Sequence, residues 1–101
     1  MDPHPEGEPH DRLKAVVASA SGLHARPAAI FAEAAAELDV EVTIALDGTP
    51  EDEAMDASSI LSLMTLGAGN GDTVVLRAEG AGAEEALDKL AALVETDLDA
   101  F

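Results

Sequence analysis

The chain has 101 residues, no cysteine and a formal net charge of −16 at pH 7, with 21 acidic residues against five basic ones. The length suits one domain, and the lack of cysteine excludes disulfides, thiolate metal sites and a cysteine nucleophile. The charge argues against nucleic-acid and anionic-membrane partners, because both repel an acidic protein. No apolar run approaches the ~18 residues that can span a membrane, and the N-terminus lacks the features of a signal peptide. We therefore expect a cytoplasmic protein.

The acidity itself has two interpretations. A strongly acidic composition is typical of disordered chains, but the regular apolar periods described below contradict that interpretation. The other is adaptation to very high salt, where electrostatic screening contracts to ~3 Å at 1 M and neighbouring carboxylates repel one another little. We favour the second, which concerns habitat and not chemistry.

Three prolines among charged residues predict that residues 1–12 form a disordered tail, followed by a single domain at 13–101. Two of the three histidines, His4 and His10, lie in this tail. We interpret both as solvated side chains and not as metal ligands.

Four segments have the character of strands. Alternating apolar residues predict strands over 13–20, 40–46 and 73–79. The Asp-Gly pair at 47–48 is a hairpin signal. The returning segment, 51–57, is acidic and poor in residues that favour strands, which predicts an edge strand protected by its charge.

Three segments have helical periodicity. The first starts near Pro27, with an inward stripe of Ile30, Phe31, Ala34, Ala35 and Leu38. The second is short, capped by Ser58 or Ser59 and ended by Gly67. The third, over about 83–96, is expected to bury Leu87, Leu90, Ala91 and Val94. The resulting order, βα, ββα, βα, predicts an α+β open-faced sandwich.

The stretch "SGLHARPAAIF" carries the candidate chemistry. Pro27 suits the first turn of a helix, where its missing N–H costs nothing, so His24 stands immediately before that helix. The free amides of the first turn, at Ala25 and Arg26, form an anion site. The guanidinium of Arg26 adds donors suited to phosphate oxygens. The helix dipole favours the neutral, nucleophilic imidazole, so the group is suited to a phosphoryl group on His24 itself.

A histidine at a helix start is more often a cap or a surface residue, so this feature alone indicates little. A metal site is not predicted, because no second ligand stands at a helical spacing from His24 and zinc sites usually need three or four.

Two separated motifs together are more specific. "GLHARPA", followed by an alanine-rich helix, closely resembles the active-site signature of HPr, the histidine-containing phosphocarrier of the phosphoenolpyruvate-dependent sugar phosphotransferase system. "SSILSLMTLGAGNGDTVVLRAEG" and "EEALDKLAALVE" resemble the later helices and last strand of that family, in the same order. The resemblance covers roughly residues 13–98. The net charge departs from typical members and makes the chain an unusually acidic, halophile-like one.

The resemblance implies a four-stranded antiparallel sheet with three helices on one face. It also implies that the protein is a carrier and not an enzyme, without a cofactor. His24 would take a phosphoryl group on Nδ1 from phosphorylated enzyme I and pass it to an enzyme IIA component in sugar uptake, with Arg26 as the active-site arginine. Ser59 falls where many members carry a serine phosphorylated by a dedicated kinase. Serine is also the default residue at a helix N-cap, so its presence alone does not indicate modification.

The middle helix offers an independent indication of partner binding. Five large apolar residues occupy about two turns of it, more than a thin domain can bury on one side. We expect Leu63 and Leu66 in the core, and Ile60, Leu61 and Met64 in an exposed docking surface. In the family this helix lies beside the active histidine and docks against donor and acceptor. No oligomeric interface is evident, so a monomer is expected.

Three functions compete at this stage. A phosphocarrier is the first, a binding-only regulatory paralogue of HPr the second, and a small hydrolase or phosphatase the third. His24 and Arg26 are both intact, which argues against the second. A hydrolase needs a general acid or a positioned water beside the nucleophile, and no group for this purpose stands near "GLHARPA".

Overall fold

The computed structural model describes residues 10–98, with side chains from Arg12 onward. The elements are β1 (His10–Val16), α1 (Ala25–Ala36), β2 (Val42–Leu46), a 3-10 turn (Glu51–Glu53), β3 (Met55–Asp56), α2 (Ile60–Leu66), β4 (Thr73–Glu79) and α3 (Ala83–Val94). The four strands pair antiparallel in the order β1-β4-β2-β3. The expected open-faced α+β sandwich is confirmed. Residues 1–9 of the predicted tail lie outside the described residues.

One face of the sheet carries the core. Leu13 of β1 pairs with Leu76 of β4, which pairs with Ile44 of β2, so the three side chains form one row. Leu76 and Ile44 are fully buried and Leu13 is partly buried against them. Each helix adds a fully buried side chain to this core: Phe31, Leu63 and Leu90. The helices therefore cover the same face, with α3 on β1 and β4, and α1 against α2 and α3.

The first strand begins and ends earlier than predicted. His10 pairs with Glu79 of β4, so the last three residues assigned to the tail belong to the sheet. The strand ends at Val16 and not at residue 20, because the chain then turns toward the end of α3. Ala18 N–H donates there to the carbonyl of Val94 at 3.0 Å.

The predicted hairpin is longer than a two-residue turn. A turn does form at 47–48, where Thr49 N–H donates to the Leu46 carbonyl at 3.0 Å. The acidic residues that follow form the 3-10 turn, and only Met55–Asp56 pairs with β2. Acidic side chains favour strands poorly, which accounts for the short β3. Its position at the sheet edge agrees with the prediction.

The helices follow their predicted faces with small shifts. In α1, the buried residues are Pro27, Ala28, Phe31, Ala32 and Ala35. Ile30, Ala34 and Leu38, predicted to point inward, are only partly buried. The buried face of α1 is thus rotated around the helix axis, away from these three residues and toward Ala28 and Ala32. The four residues predicted to be buried in α3 are all buried, and that helix ends at Val94, two residues early.

Salt is expected to raise the stability of this fold. Glu33 and Glu37 are exposed like charges one turn apart on α1, and such a pair costs about 0.2–0.5 kcal/mol in dilute buffer. A further five exposed carboxylates lie between residues 47 and 56, of which Asp47 is paired with Lys14 at 3.3 Å. Screening removes most of this repulsion. The free energy of unfolding should therefore rise by about 1 kcal/mol or more between dilute buffer and molar potassium chloride. The measurement is the denaturant midpoint at each salt concentration.

A charge variant separates screening from general salt effects. In Glu37→Gln the i, i+4 repulsion is absent, so its stability should exceed that of the unmodified chain in dilute buffer and the gain should shrink in molar salt. A midpoint that stays flat or falls with salt would contradict the interpretation of the acidity as adaptation to high salt.

Candidate functional site

His24 occupies the N-cap of α1. Its backbone is extended, with φ −138° and ψ 151°, and its side chain makes no capping hydrogen bond. The helix begins one residue later, at Ala25, so the prediction that it starts just before Pro27 is confirmed. The imidazole is exposed, while Leu23 before it and Pro27 after it are buried. The backbone is thus anchored on both sides of a side chain that reaches solvent.

The first turn of α1 is kept free of negative charge. Arg26 lies in it and is exposed, and no acidic residue stands in that turn. In a chain with 21 acidic residues this leaves the positive end of the helix dipole available to an external anion. The N–H groups of Ala25 and Arg26 have no acceptor within the helix. The side chain and backbone of Arg26 therefore offer donors at the same end of the helix as His24.

Ala25 adopts a left-handed backbone conformation, which the sequence does not predict. Its φ is +49°, the one positive value at a non-glycine residue in the described part of the chain. A residue with a Cβ in this region costs of order 1–3 kcal/mol and persists only where its surroundings enforce it. Glycine or asparagine would signal such a position, whereas alanine does not, so analysis of the sequence misses it.

The loop before His24 is packed tightly against the loop that follows α2. Leu23 N–H donates to the Ala68 carbonyl at 2.9 Å. At Gly22, with φ +76°, a Cβ would lie 2.4 Å from that same carbonyl oxygen. Only glycine fits this close approach. The C-terminal end of α2 is therefore held next to His24.

Three apolar residues of α2 are exposed, as predicted. Leu61 is 76% exposed, Ile60 46% and Met64 37%, whereas Leu63 is fully buried and Leu66 is partly buried against the core. These three exposed residues are termed the α2 patch. The patch lies on the helix whose C-terminal end approaches the loop before His24.

Ser59 is the N-cap of α2. Its hydroxyl accepts from Ser62 N–H at 3.2 Å, and Gly67 ends the helix with φ +76°. In the turn before it, Asp56 accepts from the hydroxyl of Ser58 at 2.7 Å and from its N–H at 2.9 Å. These two hydrogen bonds lower the pKa of the Asp56 carboxyl below its ordinary value. Ser59 stands at the end of α2 away from His24, about 10 Å along the helix at 1.5 Å per residue.

The histidine lies apart from two surface grooves near the other end of α1. The grooves, of about 510 and 520 Å³, both include Asp39 and Val40, which follow the far end of α1, and neither includes His24. Among the described residues, no group of three or more histidine, cysteine or acidic side chains is arranged to hold a metal ion. In the same part of the chain, every helix is too short or too polar to cross a membrane.

The fold and the site together define a small α+β domain that presents one histidine to solvent from a helix N-terminus. The protein-family model described as the PTS HPr component phosphorylation site matches residues 12–96. The chain therefore belongs to the HPr family of phosphocarrier proteins of the phosphotransferase system, and the resemblance seen in the sequence is confirmed.

Individual relatives agree with this assignment. The phosphocarrier protein HPr of Streptomyces coelicolor is 48% identical over 81 residues, which cover 79% of this chain and 83% of the relative. That of Haloferax volcanii is 44% identical over 75 residues, covering 74% and 82%. The crystal structure of a phosphocarrier protein HPr from Bacillus anthracis superposes with a TM-score of 0.75 at 36% identity, covering 84% of this chain and 96% of that one.

Proposed function

We propose that the protein accepts a phosphoryl group from phosphorylated enzyme I on Nδ1 of His24 and passes it to an enzyme IIA component in sugar uptake. One observation carries this proposal. An exposed histidine at the N-cap of α1 stands beside an exposed arginine, in a helix turn kept free of acidic residues. We further infer that the carrier acts in the cytoplasm, as a monomer and without a cofactor or metal.

The transfer step needs few protein groups. The lone pair of the His24 ring nitrogen forms the bond to phosphorus, while the bond from phosphorus to the donor atom breaks and its electron pair leaves with the donor. The phosphoryl oxygens then meet the Arg26 guanidinium and the free amides of Ala25 and Arg26. Such donors stabilise the charge in the transition state and in the phosphorylated carrier. In the second transfer the acceptor forms the new bond to phosphorus. The bond from phosphorus to His24 then breaks, and its electron pair returns to the imidazole.

Exposure of the histidine favours a carrier over a hydrolase. A carrier must present its phosphoryl group to two different proteins in turn, so an open site suits it better than an enclosed pocket. The intact pair of His24 and Arg26 likewise favours transfer over a binding-only role. Incubation with phosphoenolpyruvate and enzyme I tests this directly, since a binding-only paralogue gains no phosphoryl group.

The α2 patch is proposed as the docking surface for donor and acceptor. Exposed apolar side chains on the helix whose end approaches the loop before His24 would bring the partner's reacting group to the imidazole. Met64 is unbranched and adaptable, which suits a surface shared by more than one partner.

Leu61 and Leu63 make a matched test of docking. Leu61 is 76% exposed and Leu63 fully buried, although they stand only two residues, or about half a turn, apart on one helix. Leu61→Ala should raise about tenfold the KM of enzyme I for this protein, since a docking anchor is worth more than about 1 kcal/mol. Its melting temperature should stay nearly unchanged. Leu63→Ala should lower the free energy of unfolding by about 2–5 kcal/mol. An unchanged KM in Leu61→Ala would remove this leucine from the docking surface.

Ser59 is proposed as a secondary, regulatory position, with a serine kinase as the additional partner. A phosphate on its hydroxyl would place negative charge at the start of α2, next to Ile60 of the docking surface. The phosphate oxygens could still accept from Ser62 N–H, which now donates to the hydroxyl, and the helix dipole would favour the phosphate. The added charge on the docking surface would therefore weaken docking without unfolding α2 or touching His24.

A further inference from the structure

Apart from the close approach of Gly22 to Ala68, the loop that leads to His24 has few side chains that packing could fix in place. Between the buried Val17 and the buried Leu23 stand only alanine, serine and glycine residues. Small side chains bury little apolar surface, so the position of this loop depends on its hydrogen bonds. Three side chains supply such bonds: Asn70 from one direction, and from the other Ser19 of the loop itself and Asp97, whose carboxylate accepts from Ala20 N–H at 3.4 Å.

Asn70 holds the loop from the side of the α2–β4 connection. Its Nδ2 donates to the carbonyl of Ala18 at 3.1 Å and to that of Ser19 at 3.3 Å. Asn70 is the only asparagine of the chain, which has no glutamine and 21 acidic residues. Aspartate, so abundant elsewhere, has no donor for these carbonyls. The backbone supports the same junction, because Gly71 N–H donates to the Val17 carbonyl at 2.8 Å.

Ser19 holds the loop from the side of the segment after α3. It is the one buried polar side chain among the described residues, at 1% exposure. Its hydroxyl donates to the Thr96 carbonyl at 3.3 Å and accepts from the N–H of Leu98 at 2.9 Å. Leu98 is itself fully buried, so the hydroxyl ties the loop to an anchored segment. A buried hydroxyl with both bonds made is costly to remove.

We propose that Ser19 and Asn70 are positioning residues for phosphoryl transfer, which together fix the loop that carries His24 at its end. This inference rests on the proposed carrier function. Neither side chain needs to contact the phosphoryl group. Each acts by setting where the imidazole stands relative to the first turn of α1, and a displacement of about 1 Å at a reacting atom can cost up to a hundredfold in rate.

Asn70→Asp is the sharpest variant, because it keeps the size of the side chain and replaces the donor by an oxygen facing two carbonyl oxygens. Ser19→Ala removes the other anchor. Thr96→Val is the matched control. It deletes a hydrogen bond of 2.7 Å from the same segment, donated by the Thr96 hydroxyl to the Ala92 carbonyl, and leaves intact the backbone carbonyl that Ser19 uses.

With phosphorylated enzyme I as the probe, Asn70→Asp and Ser19→Ala should each lower kcat about tenfold with KM unchanged, since the α2 patch is intact. Thr96→Val should keep the original kcat. A role in folding alone would lower the melting temperature and leave kcat of the folded protein unaltered. If kcat of folded Asn70→Asp stays within twofold of the unmodified chain, the proposal is overturned, whatever happens to the folding of Ser19→Ala.

Amide NMR spectra test the positioning without any transfer assay. In Asn70→Asp the backbone resonances of Leu23 and His24 should shift, and in Thr96→Val they should not. Unshifted resonances in Asn70→Asp would overturn the proposal. If the unmodified chain accepts no phosphoryl group, the carrier function fails, while the NMR result still shows whether the two side chains fix the loop.

Discussion

Alanine in place of His24 should abolish phosphorylation by phosphoenolpyruvate and enzyme I. In the proposed function the His24 imidazole is the nucleophile; it is exposed at the N-cap of α1 and makes no capping hydrogen bond there. Its removal should therefore take away the acceptor atom and leave the fold intact, with a melting temperature close to that of the unmodified chain. The measurement is incorporation of label from phosphoenolpyruvate, with circular dichroism of the same sample.

The remaining histidines provide the matched controls. His10 opens β1, and His4 lies outside the described residues. His10→Ala and His4→Ala should both be labelled to the same extent as the unmodified chain. Normal labelling of His24→Ala would refute the assignment of the acceptor and direct attention to one of these two.

Loss of the Arg26 side chain should slow transfer by about two to three orders of magnitude, the typical cost of removing one preorganised donor. The residue is exposed in the first turn of α1, so Arg26→Ala should hardly move the melting temperature. Single-turnover rates from phosphorylated enzyme I, measured beside a thermal melt, give both quantities.

A lysine at this position refines the test. Arg26→Lys keeps the charge but loses the planar fork of donors, so its rate should lie between those of the unmodified chain and Arg26→Ala. Arg12→Ala removes another exposed arginine, in β1, and should leave the rate unchanged. A large loss of stability in Arg26→Ala with near-normal transfer would reverse the assignment and make the arginine structural.

The elements with complete local signals were predicted well. The strand over 73–79 was predicted with the bounds that β4 has, because its alternation is bounded by loop residues on both sides. For α2, a serine N-cap and a glycine in the left-handed conformation mark both ends. The errors have one tertiary and one local cause. β1 ends early because its continuation bonds to the end of α3, and β3 is short because acidic residues form a 3-10 turn instead.

The candidate site also has parts that neighbouring residues predict and parts that depend on tertiary contacts. Pro27 fixes the start of α1, and with it the places of His24 and Arg26, so these could be predicted from adjacent residues alone. The left-handed Ala25 and the two anchors of the loop could not. Ser19 and Asn70 stand 51 positions apart, and their bond exists only once β1 and β4 have paired. The single asparagine in an acidic chain was the one available signal.

The most direct test of the carrier function is a chase of the phosphorylated protein. The chain is labelled with phosphoenolpyruvate and a catalytic amount of enzyme I, separated from the donor, and divided into samples with and without an enzyme IIA protein. One acid-labile phosphoryl group per chain should persist without the acceptor and move to the enzyme IIA protein when it is added. Absence of label, or its loss to inorganic phosphate before any acceptor arrives, would contradict the assignment of this protein as a phosphocarrier.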